Sequence, residues 1–300
     1  MSLLDFVNLP DVKQELNRIL PDYQRNQRVV RIVEPRNDDG GIRRTIGTAF
    51  DYAFRIELER RIGRVQQKSW VAEAGLANLK RRARVSPTLA RILRAAGLPY
   101  RRTRRLGPTI RKVEAAIRDA RAFTKRYVRN PSPRSPTKLK LAAHAFRLAR
   151  LDAIYRAGRH DKLFVKPKAS DLEEIVTMLD AVPWASFKKR RTCLNPTFGE
   201  FSQAVGGADA DVITGDMLLD IKVKQDAIID KADIRQVVGY LLLARAARRS
   251  GAKLPELKTI GIYFARHSHL WTASVAEMVA KSEFAEVEAW FIERVMVNGP

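Results

Sequence analysis

Gly206-Gly207-Ala208-Asp209-Ala210-Asp211-Val212-Ile213-Thr214-Gly215-Asp216-Met217-Leu218-Leu219-Asp220-Ile221-Lys222-Val223 is the stretch on which the reading of this chain turns. Two apolar, β-forming runs flank Thr214-Gly215-Asp216, a turn signal, so the segment predicts a β-hairpin. Side chains alternate across a strand, which puts Asp220, Lys222 and Lys224 on one face and Ile221 and Val223 on the other. Asp211, near the end of the first strand, then stands opposite Asp220 on its neighbour.

Two carboxylates beside a lysine form a donor pattern for Mg2+ or Mn2+, hard cations that take oxygen ligands. Carboxylates forced together repel, and a divalent cation that relieves the repulsion also polarises a phosphate oxygen and acidifies a water. Phosphodiester hydrolysis is the reaction this pattern fits. Lys222 has more than one role open to it: orienting that water, stabilising charge on the phosphorane oxygens, or acting as a base if burial lowers its pKa. Asp209 shares a face with Asp211 and competes with it as a ligand. Glu200, in Phe198-Gly199-Glu200-Phe201, offers a further carboxylate if it lies beside the hairpin.

Outward from the hairpin, an apolar helix is predicted from about Asp233 to Arg249, a strand over Thr259–Phe264, a turn at His267-Ser268-His269, and an amphipathic helix from about Val275 to Val295. Upstream, Phe50, Phe54 and Leu58 recur every four residues in a helix from Thr45 to Arg61. A further helix is read from Lys138 to Gly158, another from a Ser170 N-cap to about Leu179, and Pro131–Pro136 reads as an extended connector.

Asp211-Val212-Ile213, then Asp220-Ile221-Lys222, then Gln236-Val237-Val238-Gly239-Tyr240 on the following helix resemble the core of PD-(D/E)XK nucleases, in the RecB-type branch. The resemblance implies that Asp211 and Asp220 bind metal with help from the main-chain carbonyl of Ile221, and that Lys222 is catalytic. It implies that Gln236 and Tyr240, one helical turn apart, support the site or touch substrate. The branch carries Gly-x-x-x-His on an earlier helix; here Gly47-Thr48-Ala49-Phe50-Asp51 has that spacing with Asp51, an oxygen donor, in place of histidine. DNA as substrate follows from the resemblance alone. It covers about 45–62 and 195–272.

The charge balance points to a polyanion. Lysine and arginine number 56 against 33 aspartate and glutamate, a net charge of +23, and Leu79 to Lys140 holds 20 basic residues against Glu114 and Asp119. A second cluster is Lys188-Lys189-Arg190-Arg191. Cys193 is the only cysteine, which argues against a disulfide framework, a multi-cysteine zinc site or a cysteine-bound iron–sulfur cluster. The four histidines lack zinc spacing. The longest apolar run, Val237–Ala247, is interrupted by Arg245 and is too short to span a bilayer, and the opening residues lack a signal-peptide pattern, so a cytoplasmic protein with no membrane partner is expected.

These readings combine into an α/β (α+β) expectation: an N-terminal segment over 1–44, a mixed-sheet restriction-endonuclease-like core over 45–62 and 195–300, and a basic all-helical insertion over 63–194 that holds nucleic acid. The expected activity is a magnesium- or manganese-dependent deoxyribonuclease, a hydrolase. With no visible motor or base-reading motif, the chain fits work beside protein partners in a larger repair, recombination or anti-phage assembly. The rival reading is a non-catalytic nucleic-acid-binding or scaffold protein on a degenerate nuclease fold.

Overall fold

The computed structural model describes residues 2–36, 39–63, 65–67, 70–83, 91, 95, 106–157, 164–187 and 191–297. Much of the basic run, from Arg84 to Arg105 apart from Arg91 and Ala95, lies outside the described residues, as do Lys188-Lys189-Arg190 and His160. In chain order the helices are α1 (Leu3–Phe6), α2 (Pro10–Asn17), α3 (Gly40–Ile62), α4 (Val71–Ala83), α5 (Leu106–Tyr127), α6 (Ser135–Ala157), α7 (Ala169–Asp180), α8 (Glu200–Ala204), α9 (Lys231–Arg249), α10 (Val275–Val279) and α11 (Phe284–Val297). The strands are β1 (Gln66–Gln67), β2 (Thr192–Leu194), β3 (Val212–Thr214), β4 (Met217–Lys222), β5 (Thr259–Phe264) and β6 (His269–Ser274).

The chain divides into two compact units: a sheet unit of Met1–Pro35, Arg61–Lys68 and Met178–Pro300, and a helical unit of Arg36–Arg60 and Ser69–Thr177. This division differs from the expected one in three respects, the first being that β1 and β2, inside the expected helical insertion of 63–194, belong to the sheet unit. Residues 1–35 are part of the sheet unit, because Leu3, Phe6, Val7, Val12 and Leu16 are buried in its core. Most of α3, with Gly47 and Asp51, belongs to the helical unit and not to the sheet-bearing part.

In the sheet unit the strand order is β1-β2-β3-β4-β5-β6. The predicted hairpin is β3–β4, paired antiparallel with Val212 opposite Leu219, and Gly215 turns it at φ 63, a left-handed conformation open to glycine without a Cβ clash. Strands β4 and β5 run parallel with Asp220 opposite Ile262, so α9 is the crossover between them. Ile213, Leu218, Ile260 and Ile262 meet the apolar residues of α9, whose other sides are covered by α1, α2 and α11; an element enclosed all round is apolar all round, which explains Val237–Ala247. Burying each large aliphatic side chain contributes about 1.5–3 kcal/mol. On the opposite face of the sheet Phe187 meets Tyr263 edge-on, with ring centroids 5.3 Å apart. The sheet also includes β1, β2 and β6, which the sequence reading did not assign, and the predicted C-terminal helix is two helices, α10 and α11.

In the helical unit α3, α4, α5 and α6 bury Phe50, Phe54, Val113, Leu141 and Phe146. Three polar anchors fix the helices. Tyr52 Oη donates to Asp152 Oδ1 at 2.7 Å, Tyr127 Oη donates to Glu57 Oε2 at 2.8 Å, and Arg60 grips the same Glu57 with two nitrogens at 2.8 and 2.7 Å. The outer faces of α5 and α6 carry exposed Arg111, Lys112, Arg118, Lys125, Arg126 and Arg147. Helix α6 begins at Ser135, inside the stretch read as a connector, and α7 is capped by Asp171, which accepts from the Lys168 N–H at 2.9 Å, rather than by Ser170.

Candidate active site

The site is built where the β3–β4 hairpin meets the first turns of α9. Alternation along β4 carries Asp220 and Lys222 to the α9 side, the same side as Ile213 and Leu218. One residue before β3, Asp211 reaches across to β4: the Ile221 N–H donates to its Oδ2 at 2.6 Å. That bond ties the first carboxylate to the peptide between Asp220 and Lys222, and β2 braces it from behind, since the Asn195 N–H donates to the Asp211 carbonyl at 2.9 Å.

Lys222 is the hub. Its Nζ lies 2.9 Å from Asp220 Oδ2, donates to Gln236 Oε1 at 2.7 Å, and stands 3.6 Å from Asp233 Oδ1. Gln236 in turn donates from Nε2 to the Tyr240 hydroxyl at 3.3 Å, a contact made possible by the one-turn spacing on α9. Asp211, Asp220, Ile221, Lys222, Gln236 and Tyr240 are therefore gathered at one place.

Burial dominates the electrostatics here. Asp220 is 4% exposed, and removal from water pushes its pKa up to about 6; Lys222 pulls it down, and the charge of Asp211 adds to the rise. Burial alone would lower the Lys222 pKa, but Asp220, Asp233 and Asp211 outweigh it and hold the group above its ordinary value. Lys222 is thus an ammonium at neutral pH in this arrangement, which favours the orienting and charge-stabilising roles over that of a base. Burial likewise raises the Tyr240 pKa, assisted by the charges of Asp220 and Asp211, so its hydroxyl stays protonated.

Asp233, which the sequence reading used only as a helix boundary, completes the arrangement together with Lys224. Asp233 lies between Lys222 and Lys224, pairing with Lys224 Nζ at 2.5 Å while its Oδ2 also accepts from the Asp230 N–H at 2.9 Å. Lys224 additionally contacts Asp230 at 3.0 Å. The available signal was position: an acidic residue three before Gln236, in the first turn of a helix, where carboxylates are favoured.

The remaining sequence candidates differ in setting, and the charge of Asp209 is near enough to Tyr240 to add to its raised pKa. Asp51, in the helical unit, is ion-paired with the buried Arg55 one turn on. Asp209 bridges to Thr197, and Glu200 is exposed at the start of α8. His267 ends a short 3₁₀ turn, and His269 opens β6 with its Nε2 3.1 Å from Gln27 Oε1.

No protein-family model, curated protein or solved structure matches this chain. Among the described residues no group of three or more His, Cys, Asp and Glu side chains could hold a metal ion. Asp211 and Asp220 with the Ile221 carbonyl make an all-oxygen set with two carboxylates, and Mg2+ is commonly held by one or two carboxylates plus waters and substrate phosphate. Asp220 Oδ2 is buried with Lys222 Nζ 2.9 Å away. It is the donor set, two carboxylates and a carbonyl, that fits a hard divalent cation.

Proposed function

We propose that this chain is a divalent-metal-dependent nuclease of the PD-(D/E)XK type, RecB-like, acting on DNA. One observation carries the reading: Lys222 Nζ is held between Asp220 and Gln236, while Asp211 is bonded to the intervening Ile221 peptide. A solvent-facing hairpin with incidental cross-strand pairs would leave these groups exposed and worth at most about 1 kcal/mol each. Here Asp220 is buried and its neighbours are set around it.

Asp211, Asp220 and the Ile221 carbonyl would hold Mg2+ or Mn2+, which supplies Lewis acidity toward the phosphate and lowers the pKa of water. The protein's own work is positional. Asp211 is fixed by the Ile221 N–H, so its carboxylate enters the site at a set angle to Asp220. Lys222 brings a permanent positive charge to where negative charge develops on the scissile phosphate, and Gln236 fixes its Nζ without neutralising it. Tyr240, protonated, keeps a hydroxyl on Gln236 and limits its rotation. The excess of 56 basic over 33 acidic residues supports a polyanionic substrate. Among the described residues no helix is long and apolar enough to cross a membrane.

The test is a cleavage assay on plasmid, linear duplex and single-stranded DNA in Mg2+ or Mn2+, with EDTA and the Asp220→Ala chain as controls. Cleavage that needs metal and Asp220 supports the reading. Binding without metal-dependent cleavage would assign the chain to the non-catalytic alternative.

A further inference from the structure

In the helical unit, α5 and α6 leave a groove of about 340 Å³ between them, with the segment Phe164-Val165-Lys166-Pro167 along its edge. Its floor is made by small residues, Ala115 and Ala116 of α5 and Ala143 of α6, set over the buried Phe146. Alanines at positions where facing helices would otherwise interdigitate leave a slot with an apolar lining. Phe164 is 43% exposed beside it, and Lys112 Nζ lies 5.8 Å from the centre of its ring. The ring is thus partly open to solvent beside the slot.

The rim has a definite sign. Lys112, Arg147 and Lys166 are exposed around the groove, against the single acid Asp119, and among the described residues none of the three cations is ion-paired. Nearby cations behave differently: Arg121 is held by Glu73 at 2.7 Å, and Lys80 by Glu114 at 2.6 Å. Unneutralised cations around an apolar slot suit a ligand with a flat, apolar face and an anionic periphery.

We infer that this groove is a single-stranded nucleic-acid subsite, in which Phe164 stacks on an unpaired base while Lys112, Arg147 and Lys166 meet the adjoining phosphates. Alternation of a π surface with cations is the arrangement that binds single strands without reading sequence, and it discriminates against duplexes, whose bases are already stacked. An acidic peptide with an apolar anchor matches the charge but not the +23 of the whole chain, which favours a densely charged polymer. The inference rests on the nucleic-acid partner proposed above but not on the metal site.

The experiment is fluorescence anisotropy with labelled oligo-dT and with a duplex of equal length, in EDTA so that cleavage plays no part. Phe164→Ala is expected to weaken oligo-dT binding by roughly tenfold with little effect on the duplex, and Phe164→Trp to restore it. Lys112→Ala and Lys166→Ala should each flatten the dependence of oligo-dT affinity on salt. Circular dichroism of each variant checks the fold. Equal oligo-dT binding with and without Phe164 overturns the subsite, as does an equal loss for the duplex. So does Phe164-dependent binding of an acidic peptide or anionic vesicles in place of oligo-dT. Cleavage by the unmodified chain is read separately. A chain that binds through Phe164 and never cleaves removes the nuclease reading alone, whereas one that cleaves and is indifferent to Phe164 removes the subsite alone.

Discussion

Lys222 Nζ donates to Gln236 Oε1 at 2.7 Å, joining the end of β4 to the second turn of α9. A neutral amide fixes the ammonium without consuming its charge. Gln236→Ala should therefore act through the position of Lys222, lowering the proposed cleavage rate by roughly 10- to 100-fold, the scale of a small misplacement. Lys222→Ala should cost more, about 100-fold or beyond. Initial rates on linear duplex in saturating Mg2+ check the order; a Gln236→Ala chain as fast as the unmodified one contradicts it.

Asp220 makes stability depend on pH in a defined window. Its folded pKa, about 6, lies above the ordinary 3.8, so the native state binds that proton more tightly than the unfolded chain. Stability contributed by the group is present at low pH, falls as pH rises from about 4 to 6, and stays lower above. Measured against Asp220→Asn, which does not titrate, the unmodified chain should lose up to about 3 kcal/mol between those limits. Urea denaturation of both chains at about pH 3 and about pH 7, each about 1 unit outside the window, provides the comparison. A pH-independent difference contradicts it.

Addition of Mg2+ should reverse part of that cost. A ligand that binds only the native state raises stability by mass action, about 2.7 kcal/mol at a hundredfold excess over its Kd. The melting temperature should rise with Mg2+ or Mn2+ at neutral pH and respond far less in Asp211→Ala or Asp220→Ala. Equal shifts in all three chains would place the cation elsewhere.

Asp233 links two lysines and the N-terminus of α9. Asp233→Asn removes the shared counter-charge of Lys222 and Lys224 and weakens the bond to the Asp230 N–H. The pairs are only partly buried, so a loss of about 1–3 kcal/mol is expected, smaller in high salt. Denaturation in low and high salt tests this.

In the helical unit, Glu57 is 2% exposed and holds both Arg60 and the Tyr127 hydroxyl. Glu57→Ala leaves a guanidinium and a phenol without their acceptor and should destabilise by about 3–5 kcal/mol. Tyr127→Phe removes one bond alone and should cost about 1 kcal/mol. Similar losses in the two variants would contradict the shared-acceptor arrangement.

The hairpin and α9 were legible because their patterns are local. Asp220 and Lys222 obey the two-residue period of a strand, and Gln236 and Tyr240 obey helical spacing. Strand β2 was not legible: Thr192-Cys193-Leu194 is three residues long, follows a basic run and precedes Asn195-Pro196, so no alternation can develop. Periodicity gave α3 a buried face through Phe50, Phe54 and Leu58 without saying which core receives it. The role of Asp233 was hidden for the same reason, since an acid in a first helical turn has a local explanation that needs no partner on β4. Residues 1–44 were read only as an N-terminal segment because α1 is four residues long and meets its partners more than 200 positions away.

Gly239, between Gln236 and Tyr240, packs tightly against the chain's first helix: a Cβ there would stand 3.0 Å from Val7 Cγ1, which would have to give way. The helix that carries the glutamine and tyrosine is therefore closed off on its far side by the opening turn of the chain, while residues 36–60 and 69–177 belong to another unit. During synthesis Leu3 and Phe6 emerge long before α9 and α11, so the sheet unit cannot complete its core until those two helices have been made. The inserted helices, made of contacts closer in sequence, are free to form first.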